Sequence, residues 1–500
     1  MTILYPGVDI TQTKYIDPTA GTNGSGSFAS PYNAFSGSDG WWVSGTRYLV
    51  KEGTTWAGTV YMGGNTVNGP FVIGTYDAAT GEQIKTKDDR RAKIRVAAVA
   101  PGVNMGTLAN GGTGKQNIVL DSLDILCDQR TNTGCAAVQG LAGGSTDVSP
   151  TVPVNIQIYR CGLDGHRATY LRGAGIVVQD CYARGYYDGI NLITTRAIVN
   201  DNYVYQDAPR VTSEDWGSDA IIVTIGATLV PQPEYYEIKR NIVVSPNYGN
   251  SAKHGIYIAA DGIGQMKVPT IGAIVEDNYI YGCYQNFLIY LPGTELRNNR
   301  SIITKATHFN IQASGVLLQG NYADSRVVPA SAYQRLPRAS WALASANYGT
   351  TRYINNTFRG MTLGLHYSAS AEQYEFTNNV LTRRAVGGGF DEATNQFLLF
   401  ADATKASFGG GNFYAWEDGA PVFTMTSNKT WAEFKAGYDT TARNEVPLFD
   451  ENGYPTDASN LTAGGVVSRG GRDGNGTMRW LPPASGAFEY VRPRPTRTLP

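Results

Sequence analysis

The sequence predicts an all-β protein whose short strands coil into a parallel β-helix, and three observations support this prediction. Gly contributes 59 and Tyr 31 of the 500 residues, whereas charged residues make up only 17%, a composition typical of turns and strands. Short alternating apolar strands that run into Asn recur along the chain without helical periodicity. The shortest repeat, 21 to 23 residues, cannot bury its apolar face alone, so each repeat must stack on its neighbours.

The recurring Asn residues define the repeat. Successive Asn residues are 21 to 23 positions apart where the repeat has no insertion, and 35 to 39 positions apart where it has one. Leucine-rich repeats need a Leu pattern and a helical segment, and propeller blades need ~40 residues, so the parallel β-helix remains. Its coils rise about 4.8 Å each. We therefore expect the amides to form a ladder that bonds coil to coil: Asn202, Asn241, Asn278, Asn299, Asn321, Asn356 and Asn379.

The net charge, the lack of long apolar segments and the cysteine content argue against several classes of protein. The formal net charge of -1 argues against binding nucleic acid or an anionic membrane through bulk electrostatics. The N-terminus lacks the charged and apolar regions of a signal peptide, and no apolar stretch reaches the ~20 residues of a spanning helix. Five cysteines without a CxxC pair predict reduced thiols rather than disulfides or zinc ligands: Cys127, Cys135, Cys161, Cys181 and Cys283. We expect Cys161 and Cys181 to stack inside neighbouring coils.

Segments at both ends carry a family resemblance. KYIDPTAGTNGSGSFASPYNAF and WWVSGTRYLVKEGTTWAG near the N-terminus, and NFYAWEDGAPVFTMTSNKTWAEFKAGYDT near the C-terminus, resemble the opening and closing segments of right-handed β-helix polysaccharide-degrading proteins, the pectate-lyase-like superfamily. With its short leader and no signal peptide, the chain is most similar to bacteriophage tailspikes that depolymerise capsule or O-antigen. The resemblance implies a homotrimeric virion protein that binds a bacterial surface polysaccharide and attaches to a phage tail or baseplate protein through its N-terminus.

Three regions follow from the repeat and the resemblance. We expect an N-terminal leader and opening segment over residues 1–44, and a right-handed, single-stranded parallel β-helix with loop insertions over residues 45–385. A C-terminal cap or trimer-packing region is expected over residues 386–500. Within it, Thr430 and Glu433 form a T-x-x-E capping box that predicts the start of a short helix.

One column of polar residues stands out when the repeats are aligned. The strands DGINL, DAIIV, HGIYI and NFLIY place Asp188, Asp219, His254 and Asn286 at equivalent positions on consecutive coils. Two interpretations stay open. Such residues can start strands at a corner, where short polar side chains satisfy turn N–H groups. Alternatively, the column is catalytic.

Long insertions enter the chain just before this column. Loops entering at one corner of successive coils would build walls beside it and turn a flat face into a groove. We expect these walls and the flanking strands to bind sugar rings with aromatic and charged side chains. The candidate binding residues are Trp216, Tyr186, Tyr187, Arg210, Tyr248, Lys253, Tyr257 and Tyr284, and the first wall also carries Glu214 and Asp215.

Glycoside hydrolysis needs two carboxyl groups, one protonated and one ionised. Asp188 and Asp219 supply that pair, with Glu214 or Asp215 as substitutes on the loop. β-Elimination on a uronic acid is the first alternative, with His254 or Tyr257 as base and a cation from Lys253, Arg184 or Arg210. A non-catalytic glycan-binding adhesin is the second alternative. We expect no cofactor and no resident metal, although Asp188 with Asp219 could form part of a calcium site.

Overall fold

A computed structural model of the chain describes the coils and the turns between them. It covers residues 5–36, 41–62, 69–106, 116–140, 153–206, 218–224, 235–246, 252–259, 272–325, 338–342, 349–360, 362–364, 373–383, 398–400, 403–416, 423–425 and 427–444. Among these residues there is no helix with the length and apolarity needed to cross a membrane. The chain divides into two compact units: unit 1 holds residues 1–273 and 282–284, and unit 2 holds residues 274–281 and 285–500.

Unit 1 is built almost wholly from parallel strands. In chain order they are β1 (Gln12–Ile16), β2 (Thr46–Lys51), β3 (Thr55–Ala57), β4 (Val60–Tyr61), β5 (Phe71–Tyr76), β6 (Gln83–Ile84), β7 (Ala92–Val96), β8 (Val103–Asn104), β9 (Ile118–Asp121), β10 (Leu123–Cys127), β11 (Ala136–Gly140), β12 (Pro153–Tyr159), β13 (Gly162–Arg172), β14 (Ala174–Gln179), β15 (Tyr182–Ile193), β16 (Arg196–Asn200), β17 (Tyr203–Tyr205), β18 (Asp219–Thr224), β19 (Tyr235–Lys239), β20 (Ile242–Val244) and β21 (His254–Ala259).

These strands form three parallel ladders. Ladder 1a runs β1-β2-β5-β9-β12-β14-β16-β19, with β6 antiparallel to β5. Ladder 1b runs β3-β7-β10-β13-β15-β17-β20. Ladder 1c runs β4-β8-β11-β13-β15-β18-β21, and the long strands β13 and β15 turn the corner between ladders 1b and 1c. Each coil thus gives one strand segment to each ladder, and the predicted parallel β-helix is confirmed.

Unit 2 repeats the same construction. Its strands are β22 (Ala273–Glu276), β23 (Tyr279–Tyr281), β24 (Gln285–Ile289), β25 (Glu295–Arg297), β26 (Arg300–Ile302), β27 (Thr307–Ile311), β28 (Leu317–Gln319), β29 (Tyr322–Asp324), β30 (Arg338–Ala342), β31 (Thr351–Ile354), β32 (Thr357–Arg359), β33 (Thr362–Gly364), β34 (Tyr374–Thr377), β35 (Val380–Arg383), β36 (Leu398–Phe400), β37 (Ala406–Gly410), β38 (Phe413–Trp416), β39 (Phe423–Met425) and β40 (Ser427–Lys429). A 3₁₀ turn (Ala403–Lys405) precedes β37, and α1 (Trp431–Gly437) follows β40.

The ladders of unit 2 are again three. Ladder 2a runs β22-β25-β28-β31-β34-β37, and ladder 2b runs β23-β26-β29-β32-β35-β38. Ladder 2c runs β24-β27-β30-β33-β36-β39 and ends in the antiparallel hairpin β39-β40. Parallel coils therefore continue past residue 385, and β1 already belongs to ladder 1a. The division at residues 44 and 385 stays a prediction.

Apolar side chains at every second position of the strands fill the interior of the coils. In β14, buried Ile176 and Val178 alternate with half-buried neighbours, as expected for strands with one face on a core. In unit 2, aromatic rings stack from coil to coil, for example Phe287 on Phe309 at 4.9 Å between ring centroids. This burial of apolar side chains, worth about 25 cal/mol per Å², is the main stabilising term of the coil stack.

The Asn ladder is confirmed within each unit. In unit 2 each amide donates to the side-chain oxygen of the next, in the order Asn278, Asn299, Asn321, Asn356, Asn379 and Asn412. In unit 1, Asn202 donates to Asn241 in the same way. The next coil's Asn oxygen also accepts the backbone N–H of the Asn before it, as in Asn321 to Asn356. The ladder thus satisfies turn backbone that water does not reach.

Two further predictions are confirmed by side-chain contacts. Cys161 and Cys181 are buried in neighbouring coils, where their thiols donate to the backbone oxygens of Tyr159 and Gln179, and all five cysteines are free thiols. Thr430 caps α1, with Glu433 reaching back to the Thr430 backbone as a capping box. Burial raises the pKa of Cys283 far above its usual value, so this thiol behaves as a small apolar group.

Candidate active site

Four charged or titratable side chains begin consecutive strand segments of ladder 1c. Arg167 on β13 pairs in register with Asp188 on β15, and Asp219 on β18 pairs with His254 on β21. Between those pairs, Ile190 lies opposite Ile221. Asp188 and Asp219 each lie two residues before these isoleucines, so they too face each other across adjacent coils. The structure thus gives a column of Arg167, Asp188, Asp219 and His254 at one corner of unit 1.

The Asp188 carboxyl group is held from three sides. Its Oδ2 accepts hydrogen bonds from Arg167 Nε at 3.0 Å and from Asn191 Nδ2 at 2.8 Å. Its Oδ1 accepts from the backbone N–H of Asp219 at 3.2 Å. The side chain is 3% exposed, whereas that of Arg167 is 22% exposed. The carboxyl group therefore lies just below the surface, with its orientation fixed by donors on its own strand and on both adjacent coils.

Burial raises the pKa of Asp188 to about 6, and the neighbouring Asp219 carboxylate adds to the increase. The Arg167 guanidinium and the hydrogen bonds from Asn191 and the Asp219 backbone act in the opposite direction and lower this pKa. Two carboxyl groups on adjacent strands oppose being ionised together. Asp188 is consequently able to carry a proton at mildly acidic to neutral pH, as a general acid requires.

Asp219 and His254 form the second half of the site. Their atoms Oδ1 and Nδ1 lie 2.7 Å apart, and both side chains are buried. The Tyr257 ring lies beside the imidazole, at 5.1 Å between ring centroids. The backbone C=O of Asp219 accepts a hydrogen bond from Gln206 Nε2 at 2.8 Å, which ties the start of β18 to the preceding turn. The dyad is thus held by the turn that leads into β18 and flanked by the Tyr257 ring on β21.

Half-buried aromatic side chains flank the column. The Tyr187 ring stacks on His166 with centroids 5.2 Å apart, and the Arg167 guanidinium lies over Tyr187 and Tyr170. The Tyr186 ring lies 6.1 Å from that of His166. Burial lowers the pKa of His166, whose Nδ1 is 3.1 Å from the Arg130 backbone oxygen. This histidine therefore serves as a neutral stacking partner.

The remaining predicted residues are distributed as follows. Lys253 and Tyr284 are half-buried, and their backbone N–H groups donate to Ser218 O and Ala252 O beside the dyad. Arg184 lies on ladder 1b, where its Nη1 is 3.6 Å from Asp164 Oδ2. Asn286 belongs to unit 2, where its amide donates to Ser301 and to the Ile303 backbone. Five candidates lie outside the described residues: Arg210, Glu214, Asp215, Trp216 and Tyr248.

Arg167, Asn191 and Tyr170 were missed by the sequence reasoning. Asn191 could have been found, because it follows Asp188 by three residues in the strand that was aligned. Arg167 could not, because a bulge between Gly165 and Arg167 shifts the register by one residue. The described part of the chain contains no group of three or more His, Cys, Asp or Glu side chains placed to hold a metal ion.

Comparisons with known proteins find distant structural likeness. No protein-family model and no curated protein matches the sequence. A lacto-N-biosidase from Eubacterium ramulus is 14% identical with a TM-score of 0.40, over 76% of this chain and 66% of that one. The pectate lyase Pel9A is 12% identical with a TM-score of 0.39, over 97% and 98% of the two chains. The Dettilon tailspike protein is 12% identical with a TM-score of 0.33, over 80% and 69%. The fold assignment rests on the strand pairing of this chain itself.

Proposed function

We propose that the protein is an endo-acting glycoside hydrolase that depolymerises a bacterial surface polysaccharide, either capsule or O-antigen. The observation that supports this best is the pair of opposed carboxyl groups at one corner of unit 1. Asp188 has a pKa raised to about 6 by burial and by Asp219, while Asp219 is paired with His254. A carboxyl group that can hold its proton near neutral pH, opposed to a second carboxyl group, is the arrangement on which glycosidic cleavage depends.

In this proposal Asp188 is the general acid. It gives its proton to the glycosidic oxygen as the C–O bond breaks and the bonding electrons pass to that oxygen. Asp219 either takes a proton from a water molecule that attacks the anomeric carbon, or attacks that carbon itself before water releases the sugar. The hydrogen bond to His254 orients Asp219 throughout. Each cycle consumes one water and gives one new reducing end.

Both stereochemical outcomes fit the site. Strands on adjacent coils lie about 4.8 Å apart, and side-chain rotation adds to that separation. Retaining enzymes hold their carboxyl groups about 5 to 5.5 Å apart and inverting enzymes about 6.5 to 9.5 Å. We therefore assign the acid and its partner without assigning the stereochemistry.

The flanking aromatic residues fit a polysaccharide substrate. Tyr186, Tyr187, Tyr170 and Tyr257 are half-buried, so each presents part of its ring near the column. Rings with one apolar face and one polar edge suit a sugar, which also has apolar faces and hydroxyl edges. We propose the same role for Trp216 and Tyr248, and charge contacts for Arg210 and Lys253. Glu214 and Asp215 are kept as alternative carboxylates.

The biological setting is also proposed. The resemblance of the whole chain to phage tailspikes supports a virion protein that acts as a homotrimer and attaches to a tail or baseplate protein through its N-terminus. Parallel coils end in unpaired strand edges that invite further pairing, which supports caps and subunit contacts. Light scattering at micromolar concentration tests the assembly: we expect the mass of three chains, and a monomer mass would contradict it.

A polysaccharide lyase is the second candidate, favoured by the Asp219–His254 dyad. An imidazole oriented by a carboxylate is a suitable base for the ring proton beside a uronate carboxyl group, and Arg167 would neutralise that group. The C–O bond would then break without water: its electrons pass to the leaving oxygen, which takes up a proton, and the other fragment keeps an unsaturated end. A non-catalytic adhesin would bind the same glycan and leave it intact.

Substitution at the column tests the proposal. Asp188→Asn and Asp219→Asn keep side-chain size but remove the acid and its partner, so we expect turnover to fall by about 10² to 10⁴. The matched control is Asp124→Asn. Asp124 is also partly buried, has a raised pKa and pairs with an arginine, Arg91 at 2.8 Å, but lies on β10 in ladder 1b. The control should keep wild-type turnover. Full activity in both column variants would remove this corner as the active site.

A further inference from the structure

The Arg167 side chain contacts the proposed acid, Asp188, but takes part in no step of the proposed hydrolysis. Its place in the column comes from the bulge in β15. Gly165 pairs with Gly185, but the next pair is Arg167 with Asp188, so β15 carries one extra residue at the corner. Both glycines are in tight contact with backbone: an added Cβ would lie 2.5 Å from Cys135 O at Gly165 and 1.9 Å from Asp188 O at Gly185. The corner is therefore shaped to bring Arg167 opposite Asp188.

Two tyrosine rings hold the guanidinium. Its central carbon lies 4.5 Å from the centroid of Tyr170 and 5.3 Å from that of Tyr187. Tyr187 is itself stacked on His166, with 6° between the ring planes. Arginine gains from such stacking because its guanidinium is planar and weakly hydrated. The side chain thus loses most of its freedom before any substrate arrives.

Within the described part of the chain, the Asp188 carboxylate is the only one in ion-pair contact with Arg167. The contact is a hydrogen bond from Arg167 Nε to Asp188 Oδ2 at 3.0 Å. Asp188 is faced by Arg167 from β13, by the neutral amide of Asn191 from β15 and by Asp219 from β18. His254 on β21 reaches it through Asp219. Arg167 is therefore the one fixed positive charge among these groups.

We propose that Arg167 is the positioning residue of the acid pair: stacked on Tyr170 and Tyr187, it fixes the orientation of the Asp188 carboxyl group and limits how strongly that group holds its proton. The proposal rests on the proposed hydrolase, because it assigns Asp188 as the acid. Burial and the Asp219 carboxylate raise the pKa of Asp188, and Arg167 opposes that increase. Without Arg167, the pKa of Asp188 would therefore be higher. The acid would then hold its proton to higher pH and release it less readily to the glycosidic oxygen.

Two substitutions separate charge from stacking. Arg167→Gln keeps a donor but removes the charge, whereas Arg167→Lys keeps the charge but loses the planar stack. An opposite charge next to a carboxyl group lowers its pKa by about 1 to 3 units. In Arg167→Gln we therefore expect the alkaline limb of the kcat/KM profile to move upward by about one pH unit. We also expect kcat to fall about tenfold, with KM little changed. Arg167→Lys should return the limb close to its wild-type position.

A second readout does not depend on activity. The melting temperature of each protein is measured from pH 4 to pH 8 with and without Asp188→Asn, and the difference between the two curves reports the titration of Asp188, including its coupling to Asp219. We expect this titration to move to higher pH in Arg167→Gln. Arg91→Gln is the matched control, since it removes the arginine from the Arg91–Asp124 pair, and it should leave the Asp188 titration in place.

The outcomes of these experiments test the positioning role of Arg167 separately from the proposed hydrolase activity. If Arg167→Gln leaves both the pH profile and the Asp188 titration unchanged, the positioning role is wrong even when the wild type is an active hydrolase. If the titration moves but the wild type cleaves no polysaccharide, the control of Asp188 by Arg167 stands and the hydrolase assignment fails. A loss of melting temperature at all pH values alike, without a shift of the titration, would show a structural role only and would also overturn the inference.

Discussion

Replacing Asn321 with Ala removes four hydrogen bonds from the middle of the unit 2 ladder. Asn321 Nδ2 donates to Leu296 O at 2.8 Å and to Asn356 Oδ1 at 3.0 Å, and its Oδ1 accepts from Asn299 N and Nδ2. Asn321 is 0% exposed, so the partners it leaves have no bulk water to replace it. Each buried group left unpaired costs about 1 to 3 kcal/mol. We expect a loss of about 3 to 5 kcal/mol in the free energy of unfolding, because backbone groups on two coils are affected at once.

Urea unfolding followed by circular dichroism measures this loss, with Gln319→Ala as the matched control. Gln319 ends β28 on the same coil and is half-buried, but it is not part of the ladder. Its truncation should cost under about 0.5 kcal/mol, as for other surface positions. Asn321→Asp is a second probe: it keeps the shape and the acceptors but loses both donors, so it should destabilise nearly as much as Ala. If Asn321→Ala and Gln319→Ala unfold at the same urea concentration, the ladder does not stabilise the coil stack.

Further predictions concern pH. Burial lowers the pKa of His308 to about 3, and its two ring nitrogens lie 2.7 and 2.8 Å from Ser301 and Ser325 Oγ. A histidine whose folded pKa is depressed contributes stability above its unfolded pKa of about 6.5 and loses it as the pH falls, by about 2 kcal/mol at pH 5. His308→Gln should flatten the melting-temperature profile over this range, and an equally steep fall in that variant would contradict the assignment. The pKa of Asp188 is raised in the folded protein, so ionisation of this group opposes folding. Stability should therefore fall as the pH rises from about 4 to above 6, and Asp188→Asn should lack that fall. The same ionisation removes the general acid, so kcat/KM should decline above about pH 6; a rate that keeps rising to pH 8 would exclude Asp188 as the acid.

Much of the fold could be predicted because the Asn marker is a local signal with a physical cause. An amide that satisfies turn backbone and the next amide must recur once per coil, so its spacing gives the coil length. Asn412 continues the ladder 33 residues after Asn379 but was not recognised. Its segment was assigned to the cap on resemblance, and the preceding glycines hide the strand pattern.

The site was only partly predictable, because register depends on the backbone. The offset of 20 residues that aligns Cys161 with Cys181 would place Arg167 opposite Tyr187. The bulge places it opposite Asp188 instead. Asp188, Asp219 and His254 could be aligned because each lies two residues before a buried isoleucine of its own strand. Aligning the strands did not predict the contacts of Asn286. Its amide donates hydrogen bonds to Ser301 Oγ and to the Ile303 backbone oxygen.

Cleavage in heavy-oxygen water tests the central proposal most directly. The protein is incubated with capsular or O-antigen polysaccharide from candidate host strains in water enriched in heavy oxygen, and the fragments are analysed by mass spectrometry beside those from Asp188→Asn. Hydrolysis must place one solvent oxygen at each new reducing end, so we predict labelled, saturated fragments from the wild type and almost none from Asp188→Asn. Unlabelled fragments with an unsaturated end would show a lyase and contradict the proposed reaction. Polysaccharide that is bound but stays intact with every strain would contradict enzymatic cleavage altogether.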